Sequence, residues 1–384
     1  MTTTAAPPTT TRTGYVDNLR ILLTVLVLAH HSALTYSPLP LWYWTEPSTS
    51  ASGTALLLLV ITNQLYFMGF FFMLSGLFVP GSVDRKGPGA FARDRLIRLG
   101  VPLAAFLLVA RPVLHLPSWP EHRADGESFL QFWFTVGDPG PLWFVEVLLV
   151  MSLAYAAFRA LRARRGTAGA GSVTTGEAGL VAPAVHRPVT FRAIAALVAI
   201  LTVTTFLWRL VVPNGTYWEI GGLPSPAYLP QYVVLFVVGL FAHRKGWFDG
   251  LTVRQGRGAG IVAVLGVGLA LGGAALAAAP GSGVLALAVA TLAENVFAVA
   301  AVVALLVLFR QKFSAQPAWA RRAAQNSFAV YVIHALVLVG VAMLLAPLVA
   351  PAGVKFLILM ALAVPLCWLF ADLLRRIPGV ARVL

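Results

Sequence analysis

The stretch Tyr15–Tyr36, YVDNLRILLTVLVLAHHSALTY, decides how the chain is read. It is apolar and long enough to cross a bilayer as a helix, which takes about 20 residues. Yet it carries Asp17 and Arg20 at its start and His30 and His31 deep inside. Ionisable groups at that depth are costly and face a bundle interior, a water-filled cavity or a functional partner. Arg20 and His31 are eleven residues apart. That is about three helical turns and a rise of about 16 Å, so both lie on nearly one face. Asp17, at i−3 from Arg20, shares that face near the water. Arg20 alone reads as a snorkelling anchor. Two adjacent histidines near mid-membrane read as functional rather than as polar glue between helices. His30 projects roughly a quarter turn from His31 and is expected to matter less.

Outward from this stretch the chain stays apolar. Of its 384 residues 59% are hydrophobic and 11% charged, against about 25% charged in soluble proteins. The expected fold is all-α: a polytopic membrane bundle of about ten transmembrane helices. The spans read as 17–37, 54–80, 96–115, 141–160, 191–211, 227–243, 259–279, 284–309, 327–350 and 354–374. With the N-terminus inside, 24 of the 28 Lys and Arg residues fall on the cytoplasmic side, and only Arg111, Arg123, Arg209 and Lys355 fall elsewhere. That asymmetry predicts both termini in the cytoplasm. The net charge of +14 is spread over many short loops, so it excludes a nucleic-acid-binding surface and marks orientation in the bilayer. The single cysteine, Cys367, excludes a disulfide framework and a cysteine metal site.

The expected organisation is a short disordered tail over 1–14, a membrane domain over 15–374 and a cytoplasmic tail over 375–384. The Thr/Pro-rich start lacks the pattern of a signal peptide. Within the membrane domain, 163–188 is Gly/Ala/Ser/Thr-rich and reads as a flexible cytoplasmic linker. Two outer loops hold Trp42, Tyr43 and Trp44, and Trp119, His122, Glu127 and Trp133. Aromatic residues there suit either the headgroup belt or a sugar.

Further polar groups sit inside apolar runs. Asn63 and Gln64 lie at mid-membrane in the second span and could line a cavity. That span ends in FFFMLSGLFVP, where Ser75 and Gly76 permit close helix packing. Arg95 and Arg98, at i and i+3, stand at the cytoplasmic mouth of the third span; two guanidinium forks suit phosphate groups, and also serve as ordinary anchors. Glu146, about one turn inside the outer end of the fourth span, and Glu294 in the eighth are each an ion-pair partner or an orienting group. In the ninth span Ser327, Tyr331 and His334 form one polar stripe at i, i+4 and i+7, facing the bundle.

Taken in order, these motifs resemble those of acyltransferase family 3. The shared features are Arg20 and His31 with ten residues between them, and the FF-x-x-SG segment at Phe71, Phe72, Ser75 and Gly76. They continue with the pair Arg95 and Arg98, the LWF segment Leu142–Trp143–Phe144, and the Ser327–Tyr331–His334 stripe. The opening YVDNLR and the ending LLRRIPGVARVL look most like the glucan biosynthesis protein C branch. Gly140–Pro141 stands where many members carry a histidine before LWF.

The resemblance implies a membrane O-acyltransferase in the cytoplasmic membrane of a bacterium. It would move an acyl group from cytosolic acyl-coenzyme A to a hydroxyl of a sugar, glycan or glycosylated small molecule, with no permanently bound cofactor and no metal. His31 would be the general base, with Arg20 and Glu146 beside it in the catalytic set. Arg95, Arg98 and Ser75 would meet the donor. His30, Asn63, Gln64, Trp143, Tyr331 and His334 would line the substrate cavity. The residues agree: coenzyme A is polyanionic and suits the basic inner mouth, and a neutral imidazole can take a proton from an attacking hydroxyl. The alternative is a transporter or exporter of a glycan or lipid-linked sugar, with the buried histidines as a proton relay.

Overall fold

The structure, a computed structural model, describes residues 14–135, 139–169, 188–219 and 221–384. Among the described residues ten helices are long and apolar enough to cross a membrane. They are α1 Gly14–Tyr36, α2 Ala51–Lys86, α3 Pro88–Ala124, α4 Gly140–Arg165, α5 Phe191–Arg209, α6 Pro226–Lys245, α7 Val253–Ala278, α8 Val284–Lys312, α9 Ala318–Leu345 and α10 Ala352–Arg375. The chain is an all-α, multi-pass membrane bundle, as the length of its apolar runs requires.

The expected boundaries hold to within a few residues at most ends, and the exceptions have local causes. The expected tail is outside the described residues up to position 13, and Gly14 already belongs to α1. The expected linker begins as helix, because the fourth membrane helix runs on through Trp143–Gly169; positions 170–187 lie outside the described residues. The loop expected over 115–140 contains helix at Trp119–Ala124 and Phe129–Thr135. The last residues are not a detached tail. They turn through Val380–Arg382, and Val383 and Leu384 line a cavity at the bundle's end.

α3 is not a regular helix. π-helical turns occupy Leu96–Gly100 and Phe106–Ala110, each just ahead of a proline, Pro102 and Pro112. A proline cannot donate to the carbonyl four residues back and its ring crowds that carbonyl, so the turn before it widens. The carbonyl that Pro112 leaves without its helical donor is that of Leu108, which accepts instead from the Trp133 indole at 3.0 Å.

Close approach is built on small residues. A side chain at Gly76 of α2 would strike the Phe236 carbonyl of α6, and one at Gly239 of α6 would strike the Met73 carbonyl of α2. This crossing is the packing role expected of Gly76. Two ion pairs tie other elements together. Arg209 of α5 grips Glu294 of α8 with two hydrogen bonds of 2.7 and 2.9 Å, both side chains buried. Lys355 of α10 pairs with Glu46 in the loop after α1. Two of the cations that fell outside the cytoplasmic set are thus accounted for by partners.

Candidate active site

α1 and α9 carry the centre of the site. His31 Nδ1 lies 2.9 Å from His334 Nε2. His334 Nδ1 lies 2.6 Å from the Tyr331 carbonyl one turn earlier. A carbonyl only accepts, so His334 Nδ1 carries the proton. In a neutral ring His334 Nε2 is then an acceptor, and His31 Nδ1–H must donate to it. The lone pair of His31 is left on Nε2, a tautomer assigned by the hydrogen-bond pattern. His31 is the partly exposed member of the group, whereas His30 and His334 are 8% and 0% exposed.

Trp42 completes the clamp. It stacks on the His31 ring with centroids 4.1 Å apart and planes 13° apart, on a loop that folds back over the helices. Glu46 holds that loop: its backbone N–H donates to the Thr35 carbonyl at 2.7 Å and its carboxylate meets Lys355. Trp42 thus packs inward on His31, a contact that was invisible in a loop rich in aromatic residues.

On the basic side of the bundle a cavity of about 430 Å³ is lined by Arg20, Arg95 and Arg98, with Ser75 on its wall. Phe144 and Tyr331 also line it. Tyr331 donates its hydroxyl to the Pro141 carbonyl and packs edge-on against Phe144 at 5.7 Å. Tyr331 thus borders the cavity with its side chain and holds His334 with its backbone. The arginines converge although they start on different helices. Arg20 also reaches Asp17 at 3.4 Å and Arg98 reaches Asp94 at 3.2 Å, so each guanidinium has an acidic neighbour on its own segment.

A sequence model of the acyltransferase domain of family 3 matches residues 13–372. The chain belongs to acyltransferase family 3. No curated protein and no solved structure matches it. As a family 3 member it is a membrane-bound O-acyltransferase, which sets aside the transporter alternative.

The other residues expected to line the family 3 site fall in different places. His30 stacks on Phe67 at 5.1 Å and meets the His31 ring edge-on at 5.4 Å. Asn63 donates to the Leu26 carbonyl at 3.4 Å, and Gln64 to Ser225 and Tyr232 at 3.3 and 3.1 Å, so both serve as links between elements. Trp143 packs on Tyr232 at 5.3 Å in the apolar core, and its neighbour Phe144 faces the cavity instead. Glu146 stands against Gly221, in the loop between α5 and α6. Gly221 has φ +78°, which favours glycine, and a Cβ there would lie 3.2 Å from the Glu146 carboxylate.

Proposed function

We propose that this acyltransferase moves an acyl group from cytosolic acyl-coenzyme A to a hydroxyl of a sugar or glycan, with His31 as general base. The observation that carries the reading is the hydrogen-bonded chain Tyr331 carbonyl–His334–His31, which leaves His31 Nε2 as a proton acceptor at a partly exposed ring. The hydroxyl oxygen attacks the thioester carbonyl while its proton goes to His31 Nε2. A C–O bond forms and the C–S bond breaks. The departing thiolate takes the proton back from His31 and leaves as free thiol. His334 is a positioning residue, because it touches His31 and sets its tautomer.

The donor assignment rests on charge. Arg20, Arg95 and Arg98 line one cavity, and guanidinium forks match phosphate oxygens. The same cavity wall carries the basic helix ends that the charge asymmetry puts in the cytoplasm, where acyl-coenzyme A is made. The acceptor would approach from the outer side, past the Trp42 loop, whose indole gives a sugar ring an apolar face.

The test is direct. Membranes containing the protein are incubated with radiolabelled acetyl-coenzyme A and a glycan acceptor. Labelled ester, released by mild base, supports the reading. Absence of labelled glycan, with label delivered only by another acyl donor, overturns the donor assignment.

A further inference from the structure

We propose that a second basic cavity, between the cytoplasmic ends of α9 and α10, binds a phosphate group, and that in this protein it takes the 3′-phosphate of the coenzyme A donor. The proposal rests on the donor reading above and adds a site to it. The cavity has a volume of about 410 Å³ and is lined by Arg321, Arg322, Arg375 and Arg376 around Asp372. One carboxylate among four guanidiniums leaves a local excess of positive charge.

Asp372 organises that charge. It accepts from Arg322 Nε and Nη2 at 2.8 and 2.6 Å and from Arg376 Nη2 at 2.9 Å. An arginine has five N–H donors in a rigid fork, so those bonds orient each guanidinium while leaving donors for a ligand. Arg375 is fixed separately, donating to Asn326 Oδ1 at 2.6 Å. Anchoring at a membrane surface explains basic residues at helix ends, but it does not require them to converge on a concavity.

The second observation is continuity. Gln325, Arg375 and Ala381 line both this cavity and the donor cavity that holds Arg95 and Arg98. Coenzyme A carries two separated anionic groups, a diphosphate and a 3′-phosphate on the adenosine ribose. Two arginine clusters with a shared wall offer one cationic site to each group. The diphosphate would lie near Arg95 and Arg98 and the 3′-phosphate among Arg321, Arg322 and Arg376. A phospholipid headgroup offers related phosphate chemistry, so the test separates the two.

The full-length protein in nanodiscs of zwitterionic lipid is titrated with coenzyme A and with 3′-dephospho-coenzyme A. Wild type should bind coenzyme A at least about tenfold tighter. The double substitution Arg321→Gln, Arg376→Gln should erase that preference by weakening coenzyme A alone; unchanged binding of the dephospho form shows that the variant is folded. Arg98→Ala should weaken both nucleotides alike. Equal affinity of wild type for the two nucleotides overturns the proposal while leaving the donor reading intact. So does a double variant that keeps the preference; loss of phosphatidylglycerol co-purifying with that variant, measured before reconstitution, then assigns the cavity to lipid. Failure of both nucleotides to bind overturns the donor reading and this site with it.

Discussion

Substituting His334→Phe isolates the tautomer argument. Phenylalanine keeps a flat ring in a fully buried position, and with it the stacking on His31 at 4.9 Å. It removes the acceptor that lies 2.9 Å from His31 Nδ1. A buried donor left without its partner costs about 1–3 kcal/mol, and each 1.4 kcal/mol is about tenfold in rate. The His31 ring can recover the loss only by turning or by moving its proton to Nε2, and either change spoils the base. The expected result is a fall in kcat of about tenfold to hundredfold with KM for acetyl-coenzyme A nearly unchanged. His334→Gln should restore part of the rate, since its amide oxygen can accept from Nδ1. Initial rates of radiolabel transfer in membranes, normalised to inserted protein, measure both variants. A His334→Phe enzyme that inserts normally and keeps wild-type kcat would refute the tautomer assignment.

Other expectations follow from the same geometry. His31→Ala should lower transfer by about 10²–10⁴, whereas His30→Ala, whose ring lies against Phe67, should keep most of it; radiolabel assays of the two variants give the comparison. Arg98→Ala should raise KM for acyl-coenzyme A, and Arg98→Lys should rescue only partly because a point charge lacks the fork; steady-state kinetics against donor concentration reads this. Arg209→Ala strands the buried Glu294 carboxylate and should destabilise the bundle by about 3–5 kcal/mol, while removing both charges should recover much of the loss; thermal unfolding in detergent checks it. Asp125→Cys in a Cys367→Ser background should react with an impermeant maleimide in intact cells, and labelling only after permeabilisation would invert the proposed orientation.

The helices were legible because apolar runs near membrane thickness admit few other folds, and the charge asymmetry fixed their number. The register of α1 was legible too: Arg20 and His31 were expected on one face, and Arg20 indeed faces the cavity while His31 meets α9. What the sequence withheld was pairing across distance. The i, i+7 stripe brought His334 to the bundle interior, but its partner lies 303 positions away. Glu294 read as an ion-pair partner or an orienting group and Arg209 as a cation out of place, and only the fold pairs them across 85 positions. Trp42 read as an interfacial aromatic because composition reports where a loop begins and ends, not that it folds inward. Asn63, Gln64 and Trp143 were expected along a cavity and are found against neighbouring elements. A polar or aromatic group at membrane depth must find a partner, and a neighbouring helix satisfies that need as well as a cavity does.

The clamp on His31 separates two kinds of heritable change. The proposed base and the histidine bonded to it stand on α1 and α9, where a substitution disturbs packed helices. The indole stacked on His31 stands on a connecting loop, tethered through Glu46 to Lys355 and ending at Ser50, whose hydroxyl accepts from the Gly53 N–H at 3.2 Å. Loops accept insertion and exchange far more readily than the elements they join. If the acceptor does pass this loop as proposed, a lineage could exchange the residues between Ser37 and Ser50, and with them the acceptor, while its chemistry stayed constant. Grafting that loop between members of the family, with α1 and α9 untouched, is the natural route to a new acceptor.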